Sequence, residues 1–178
     1  MTDQSLTPIR VALIGTARRA AGMYAPILRA MPGVELVATD RSPGALEVAR
    51  ANAERLGLAG RVRFLEGTLP EDGRFDLLLA NLPYVAESDW PRLAPEIRDW
   101  EPRQALLAGA DGLAAIRELL AAIGERARRG TTVAGAIALE VGDGQAAAVA
   151  ELLGAAGYPG TETRADLAGI ERIVLGRR

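Results

Sequence analysis

The chain contains no cysteine and no histidine. Those two absences exclude disulfides, thiol nucleophiles, imidazole bases and the usual zinc ligands together, and no metal site is expected. Lysine is missing as well, so all 21 basic residues are arginine. A one-signed charge excess is also lacking. The net charge of −2 supplies no basic field for nucleic acid, and direct nucleic-acid binding is not expected. No apolar run reaches membrane-spanning length, and the first residues lack a signal-peptide core, which makes a cytoplasmic protein away from membranes the expectation. What is present is ordinary for a globular protein: 49% hydrophobic and 25% charged residues. A length of 178 residues suits one domain with a substantial core.

Strand-like and helix-like segments alternate along the chain. Residues 9–15 (IRVALIG) read as a buried strand and 20–31 as a helix, with Pro26 an awkward interior residue. Residues 34–40 (VELVATD) form a second strand. The next helix carries full punctuation: Ser42 as N-cap, Pro43 at the first helical position and Gly57 closing it. Its Leu46, Ala49, Ala53 and Leu56 share one face. VRFLEG and FDLLLAN read as the third and fourth strands. Asp111 is expected to cap a helix holding Leu113, Ile116, Leu119 and Leu120. VAGAIALEVG is a fifth strand, residues 145–156 a further helix, and two short strands follow near 161–164 and 173–176. Residues 85–110, rich in Pro and Trp, are the one long irregular connection, with Trp90 and Trp100 expected to pack it against the sheet. The alternation predicts a three-layer α/β fold with a mostly parallel sheet, helices on both faces and one antiparallel strand near the C-terminus.

Ligands of such sheets bind beyond the carboxyl ends of the strands. That places Gly15 and Thr16, Asp40, Thr68 and Leu69, and Asn81 under scrutiny. An acid ending the second strand can accept hydrogen bonds from both ribose hydroxyls of a nucleoside cofactor. An ordinary acid ahead of the Ser42 cap, favoured by the helix dipole, fits the same position. The stretch Asn81-Leu82-Pro83-Tyr84 is more telling. The Asn81 side-chain oxygen can accept from a substrate amide, and the Leu82 carbonyl can accept a second hydrogen bond. Pro83 stiffens the turn, and Tyr84 offers a flat wall. Two fixed acceptors orient an amide nitrogen and stabilise the positive charge that grows as a methyl group arrives. No His, Cys or Lys is needed. A proline turn in which Asn81 caps its own backbone is the plainer alternative. LEVGDGQ (residues 139–145) reads most simply as a strand-to-helix turn, and RARRG as a solvated helix end.

NLPY resembles the Asn-Pro-Pro-Tyr signature of amide and amino methyltransferases, with Leu82 in place of the first proline. Together with VATDRSPGALEVARANAERLGLAGRVRFLEG, PRLAPEIRDWEPRQALLAGADGL, IALEVGDGQ and DLAGIERIVLGRR, it makes residues 34–178 similar to the catalytic domain of HemK-type release-factor glutamine methyltransferases. The resemblance implies a Rossmann-like class I methyltransferase fold in a single domain of residues 1–178, without the family's N-terminal helical domain. It implies S-adenosylmethionine as cofactor and the Gly-Gly-Gln loop of a peptide chain release factor as partner. Asn81, Pro83 and Tyr84 would be catalytic, with Leu82 joining them in holding the glutamine. Gly15, Thr16, Asp40, Thr68, Leu69 and Asn81 would line the cofactor.

The chain departs from that family at its first loop. An acidic, glycine-rich loop is replaced by ALIGTARRAAG, so Ala17, Arg18 and Arg19 are expected to crowd the cofactor and weaken its binding. The stretch IRVALIGTARRAAGMYAPILRAMPGVELVA is similar instead to the opening of glucose–fructose oxidoreductase-like dehydrogenases. That second resemblance makes NAD or NADP the alternative cofactor, with Gly15, Ala17 and Ala20 at the fingerprint positions. A peptide-binding derivative that has lost its cofactor is a further alternative.

Overall fold

The computed structural model describes residues 8–15, 30–31, 33–71 and 73–178. The helix expected over 20–31 falls almost wholly outside them, as do Thr16, Ala17, Arg18 and Arg19. The chain forms two compact units, Met1–Leu79 and Ala80–Arg178.

The first unit is built on β1 (Ile9–Ile14), β2 (Val34–Asp40) and β3 (Val62–Glu66), with β4 (Phe75–Ala80) closing it, in the order β3-β2-β1-β4. β1 and β2 run parallel from Ile9↔Val34 to Ile14↔Thr39, and β2 and β3 run parallel from Leu36↔Val62 to Asp40↔Glu66. Val11, Ala12, Leu13 and Ile14 are all buried, as are Leu36, Val37 and Ala38. Burial of successive residues is what a parallel strand covered on both faces requires, and the buried stretches 11–14 and 36–38 are correspondingly continuous apolar runs. Arg10 ties β1 to the start of β4. Its backbone N–H donates to Asp76 Oδ2 at 2.8 Å, and its guanidinium lies 5.2 Å from the centre of the Phe75 ring.

Helix α1 (Pro43–Arg55) starts and stops where its sequence predicts. Ser42 Oγ accepts from the Ala45 N–H at 3.2 Å, Pro43 occupies the first turn, and Gly57 leaves the helix at φ 69°. It packs on β2 and β3 with Leu46 and Ala53 buried.

The second unit holds α2 (Pro95–Arg98), α3 (Ala114–Arg128), β5 (Ala134–Glu140), α4 (Ala146–Ala155), β6 (Gly160–Ala165) and β7 (Glu171–Arg177). Its strand order is β5-β7-β6, with β7 antiparallel to both neighbours. Helix α4 packs on β6 and β7 and against α3. Tyr158 is fully buried, and its hydroxyl donates to the Ala134 carbonyl at 2.9 Å. Gly176 lies directly beneath it: an added Cβ would come within 2.9 Å of Tyr158 Cβ.

Three expectations need correction. Helix α3 begins at Ala114, so Leu113 precedes it and Asp111 is not its N-cap. The Asp111 carboxylate instead accepts from the Leu113 N–H at 3.1 Å and pairs with Arg117, which fixes the approach to the helix rather than its first turn. Trp100 is 86% exposed rather than packed, while Trp90 is half-buried with the Arg103 guanidinium 4.4 Å from its ring centre. The long connection is also less irregular than its composition suggests. It contains 3-10 turns at Glu87–Arg92 and Arg103–Ala105 as well as α2, and Val85 bridges Leu107 in parallel fashion.

Candidate active site

In the first unit, the strand ends singled out from sequence are tied to one another. Gly15 follows β1 at φ 84°, a conformation that favours glycine, and its N–H donates to the Thr39 carbonyl at 2.8 Å. Asp40 ends β2. Its Oδ1 accepts from the Ser42 N–H at 2.9 Å, and its carbonyl accepts from the Gly67 N–H at 2.9 Å. The carboxylate is therefore oriented by the start of α1 while remaining only half-buried. Thr39, the buried polar residue of this unit among the described residues, donates its hydroxyl to the Thr68 carbonyl at 3.1 Å. Thr68 Oγ1 accepts from Arg41 Nε at 2.7 Å, and Leu69 beside it is half-buried. Gly15, Asp40 and Thr68 thus join one rim at the carboxyl ends of β1, β2 and β3. Thr16 lies outside the described residues.

Asn81 follows β4 directly, and Asn81, Leu82, Pro83 and Tyr84 are all half-buried. Among the described residues, no group donates to or accepts from the Asn81 side chain. The capped proline turn considered from sequence would spend that amide on the loop's own backbone, and the loop does not do so. Among the described residues, its amide oxygen and nitrogen have no hydrogen-bond partner. The local chemistry suits a carboxamide: one side-chain acceptor, a rigid proline and an aromatic ring within four residues.

The order of this loop comes from residues that sequence reading passed over. Gln145 Nε2 donates to the Tyr84 carbonyl at 3.0 Å and to the Asp111 carbonyl at 3.3 Å, while its Oε1 accepts from the Gly142 N–H at 2.8 Å. Gly112, at φ 73°, sits so close that an added Cβ would lie 2.3 Å from the Tyr84 carbonyl oxygen. At Gly142 the same atom would meet the Tyr84 ring at 3.3 Å and Gln145 Oε1 at 2.9 Å. Just beyond, the Val85 N–H donates to Leu106, Val85 accepts from Ala108, and the Glu87 N–H donates to Gly109. The signal for Gln145 was present in LEVGDGQ. It was hidden because a strand-to-helix turn explains the glycines without the glutamine.

Comparison with known proteins gives this geometry its context. A family model described as a methyltransferase domain matches residues 19–100. A release factor glutamine methyltransferase of Gloeobacter violaceus is 40% identical over 177 residues, covering 97% of this chain and 59% of that protein. One from Geobacter sulfurreducens is 39% identical over 154 residues, covering 85% of this chain and 52% of that protein. One from Burkholderia pseudomallei is 44% identical over 154 residues, with 82% and 52% covered. The chain therefore spans about half the length of the curated relatives it matches. Among solved structures, the hMettl16 catalytic domain in complex with a MAT2A 3′UTR hairpin superposes with a TM-score of 0.70 at 15% identity, covering 96% of this chain and 64% of that one. The N-terminal domain of human METTL16 in complex with SAH gives 0.62 at 16% identity, covering 96% and 62%. At these identities the likeness establishes the fold alone: α/β, with mostly parallel strands and antiparallel pairing near the C-terminus, as in class I methyltransferases. The Gloeobacter match reaches into the segment ahead of Val34. The dehydrogenase-like reading of that segment finds no support among these relatives.

Proposed function

We propose that this chain, a homologue of the release factor glutamine methyltransferases over nearly its whole length, transfers a methyl group from S-adenosylmethionine to the side-chain amide of a protein glutamine. The observation that carries the reading is the Asn81 amide, which follows β4 and makes no internal hydrogen bond among the described residues. The substrate class would be the Gly-Gly-Gln loop of a peptide chain release factor.

The residues of the first unit fit the cofactor. Asp40 presents a half-buried, backbone-oriented carboxylate, which can accept from ribose hydroxyls. Gly15 brings bare backbone to the end of β1, and Thr68 with Leu69 completes the rim. When bound, S-adenosylmethionine supplies an electrophilic methyl group. In the second unit, Asn81 Oδ1 and the Leu82 carbonyl accept the two N–H groups of the substrate amide and fix its nitrogen. That nitrogen is a poor nucleophile because its lone pair is delocalised. As it gains the methyl group, with the cofactor's sulfur left as a neutral thioether, it would become positive, and both acceptors would bind it more strongly until solvent water takes one of its protons. This differential binding is the catalytic effect. Pro83 keeps the acceptors in place, and Tyr84 packs against the planar amide.

The test is single-turnover methylation of a Gly-Gly-Gln peptide and of its Gly-Gly-Glu counterpart at saturating S-adenosylmethionine. One methyl on the glutamine peptide and none on the glutamate peptide is the expected result. Equal labelling of both, or none of either, removes the reading. Calorimetric binding of NAD or NADP in place of S-adenosylmethionine would favour a dehydrogenase-derived fragment. Peptide binding without cofactor binding would favour the derivative that has lost its cofactor.

A further inference from the structure

We propose that Gln145 is the positioning residue for Asn81, acting through the Tyr84 carbonyl; the proposal rests on the assignment of Asn81 to the substrate amide. Asn81 has no side-chain bond of its own among the described residues, so its placement must come from the backbone on either side. On one side stands β4, ending at Ala80. On the other, the Tyr84 carbonyl is held by Gln145 at 3.0 Å, and the Val85 and Glu87 amides are held by Leu106 and Gly109. Between these two anchors lie only Asn81, Leu82 and Pro83, and Pro83 has one fixed torsion. Among the described residues, Gln145 is the side chain that holds the far anchor of this short span.

The residue type is required by the three bonds. Gly142 needs an acceptor for its N–H, while the Tyr84 and Asp111 carbonyls both need a donor. A carboxamide is the side chain that offers both at this reach. A glutamate of the same shape would put a second oxygen against two carbonyl oxygens. The two glycines provide the room. A side chain at Gly112 would strike the Tyr84 carbonyl, and one at Gly142 would strike the Gln145 amide. These contacts tie Gly142, Gln145, Gly112 and the substrate loop together, though Tyr84 and Gln145 are 61 residues apart in sequence.

The experiment combines NMR with a double-mutant cycle. Gln145→Glu should shift or broaden the side-chain NH2 resonances of Asn81 in an 15N spectrum, without any substrate present. Under single turnover with a Gly-Gly-Gln peptide it should lose roughly 10- to 100-fold in rate, the cost of a misplaced reacting group, while S-adenosylmethionine affinity holds. In an Asn81→Ala background the same change should cost far less, because the residue it positions is gone. Gln145→Met, neutral and similar in length, should repeat the pattern and guards against unfolding by a buried charge. Unmoved Asn81 resonances in both variants would overturn the proposal whether or not the wild type methylates. So would losses that simply add to that of Asn81→Ala, since additivity marks a merely structural role. An inactive wild type with shifted Asn81 resonances would sink the substrate assignment and leave the positioning role standing.

Discussion

The rim of the first unit, proposed to take the cofactor, and the loop after β4, proposed to take the substrate amide, are built in different ways. At the carboxyl ends of β1 to β3, the polar groups hold one another: Asp40 accepts from Ser42, Thr39 donates to Thr68, and Thr68 accepts from Arg41. At the end of β4, the arrangement is reversed. Asn81 holds nothing among the described residues, and the structural bonds are moved to Tyr84, Val85 and Gln145. A site for a large cofactor can use side chains that are already partly engaged, because many contacts share the binding. A site for one amide nitrogen depends on very few acceptors, and each must be kept for the substrate. On the proposed assignment, the residue that holds the substrate amide is marked by what it does not bond among the described residues, and its supporters by what they do.

That contrast can be broken in several ways. The largest effect is expected from Asn81→Ala, which should lower the single-turnover rate roughly 10²–10³-fold while a cofactor titration stays near wild type. A variant that lost affinity instead would place Asn81 on the cofactor side. Asp40→Ala should do the opposite. Loss of charged hydrogen bonds to ribose should weaken S-adenosylmethionine by roughly 10- to 100-fold in calorimetry. Asp40→Asn should recover part of this, and an unaffected Asp40→Ala would reduce the acid to an orienter of α1. Tyr158→Phe is a control on the second unit. Removing a buried hydroxyl from the Ala134 carbonyl should cost about 1–3 kcal/mol in denaturant unfolding and leave turnover unchanged, since neither residue touches the substrate loop.

The smallest effect concerns pH. Arg117 and the Leu113 N–H hold the Asp111 carboxyl down from an ordinary 3.8 to about 2. Because its folded value is depressed, its contribution is fully present above the ordinary value and is lost as pH falls through about 2. Asp111→Asn should therefore flatten the acid limb of a stability profile and leave the neutral region almost unchanged, because the pair is solvent-exposed. A neutral-pH loss as large as that of Tyr158→Phe would show that Asp111 braces the Gly112 turn more firmly than an exposed pair can.

Much of this was legible in the sequence, for physical reasons. β2 and α1 were readable to the residue, because Asp40, Ser42, Pro43 and Gly57 are local signals whose effects do not depend on distant contacts. The strand-end rule led to Asp40 and Asn81 without a structure, since periodicity locates the ends of strands. What remained hidden were relations across the chain. Gln145 bonds Tyr84, 61 residues away, and Gly112 owes its identity to that same carbonyl. No local pattern encodes such contacts. Asp111 misled for a related reason. It looks like a cap, but its carboxylate serves Leu113 and Arg117, so the helix starts at Ala114. Trp100 misled because an aromatic residue in a long connection suggests packing, and this one faces solvent.

The division of labour is tested most directly by the single-turnover rate of Asn81→Ala and Asp40→Ala on a Gly-Gly-Gln peptide, each followed to saturating S-adenosylmethionine. The account predicts that Asp40→Ala climbs back toward the wild-type rate as cofactor is raised, while Asn81→Ala stays slow at every concentration. An Asn81→Ala enzyme that recovers full rate at saturation would contradict it.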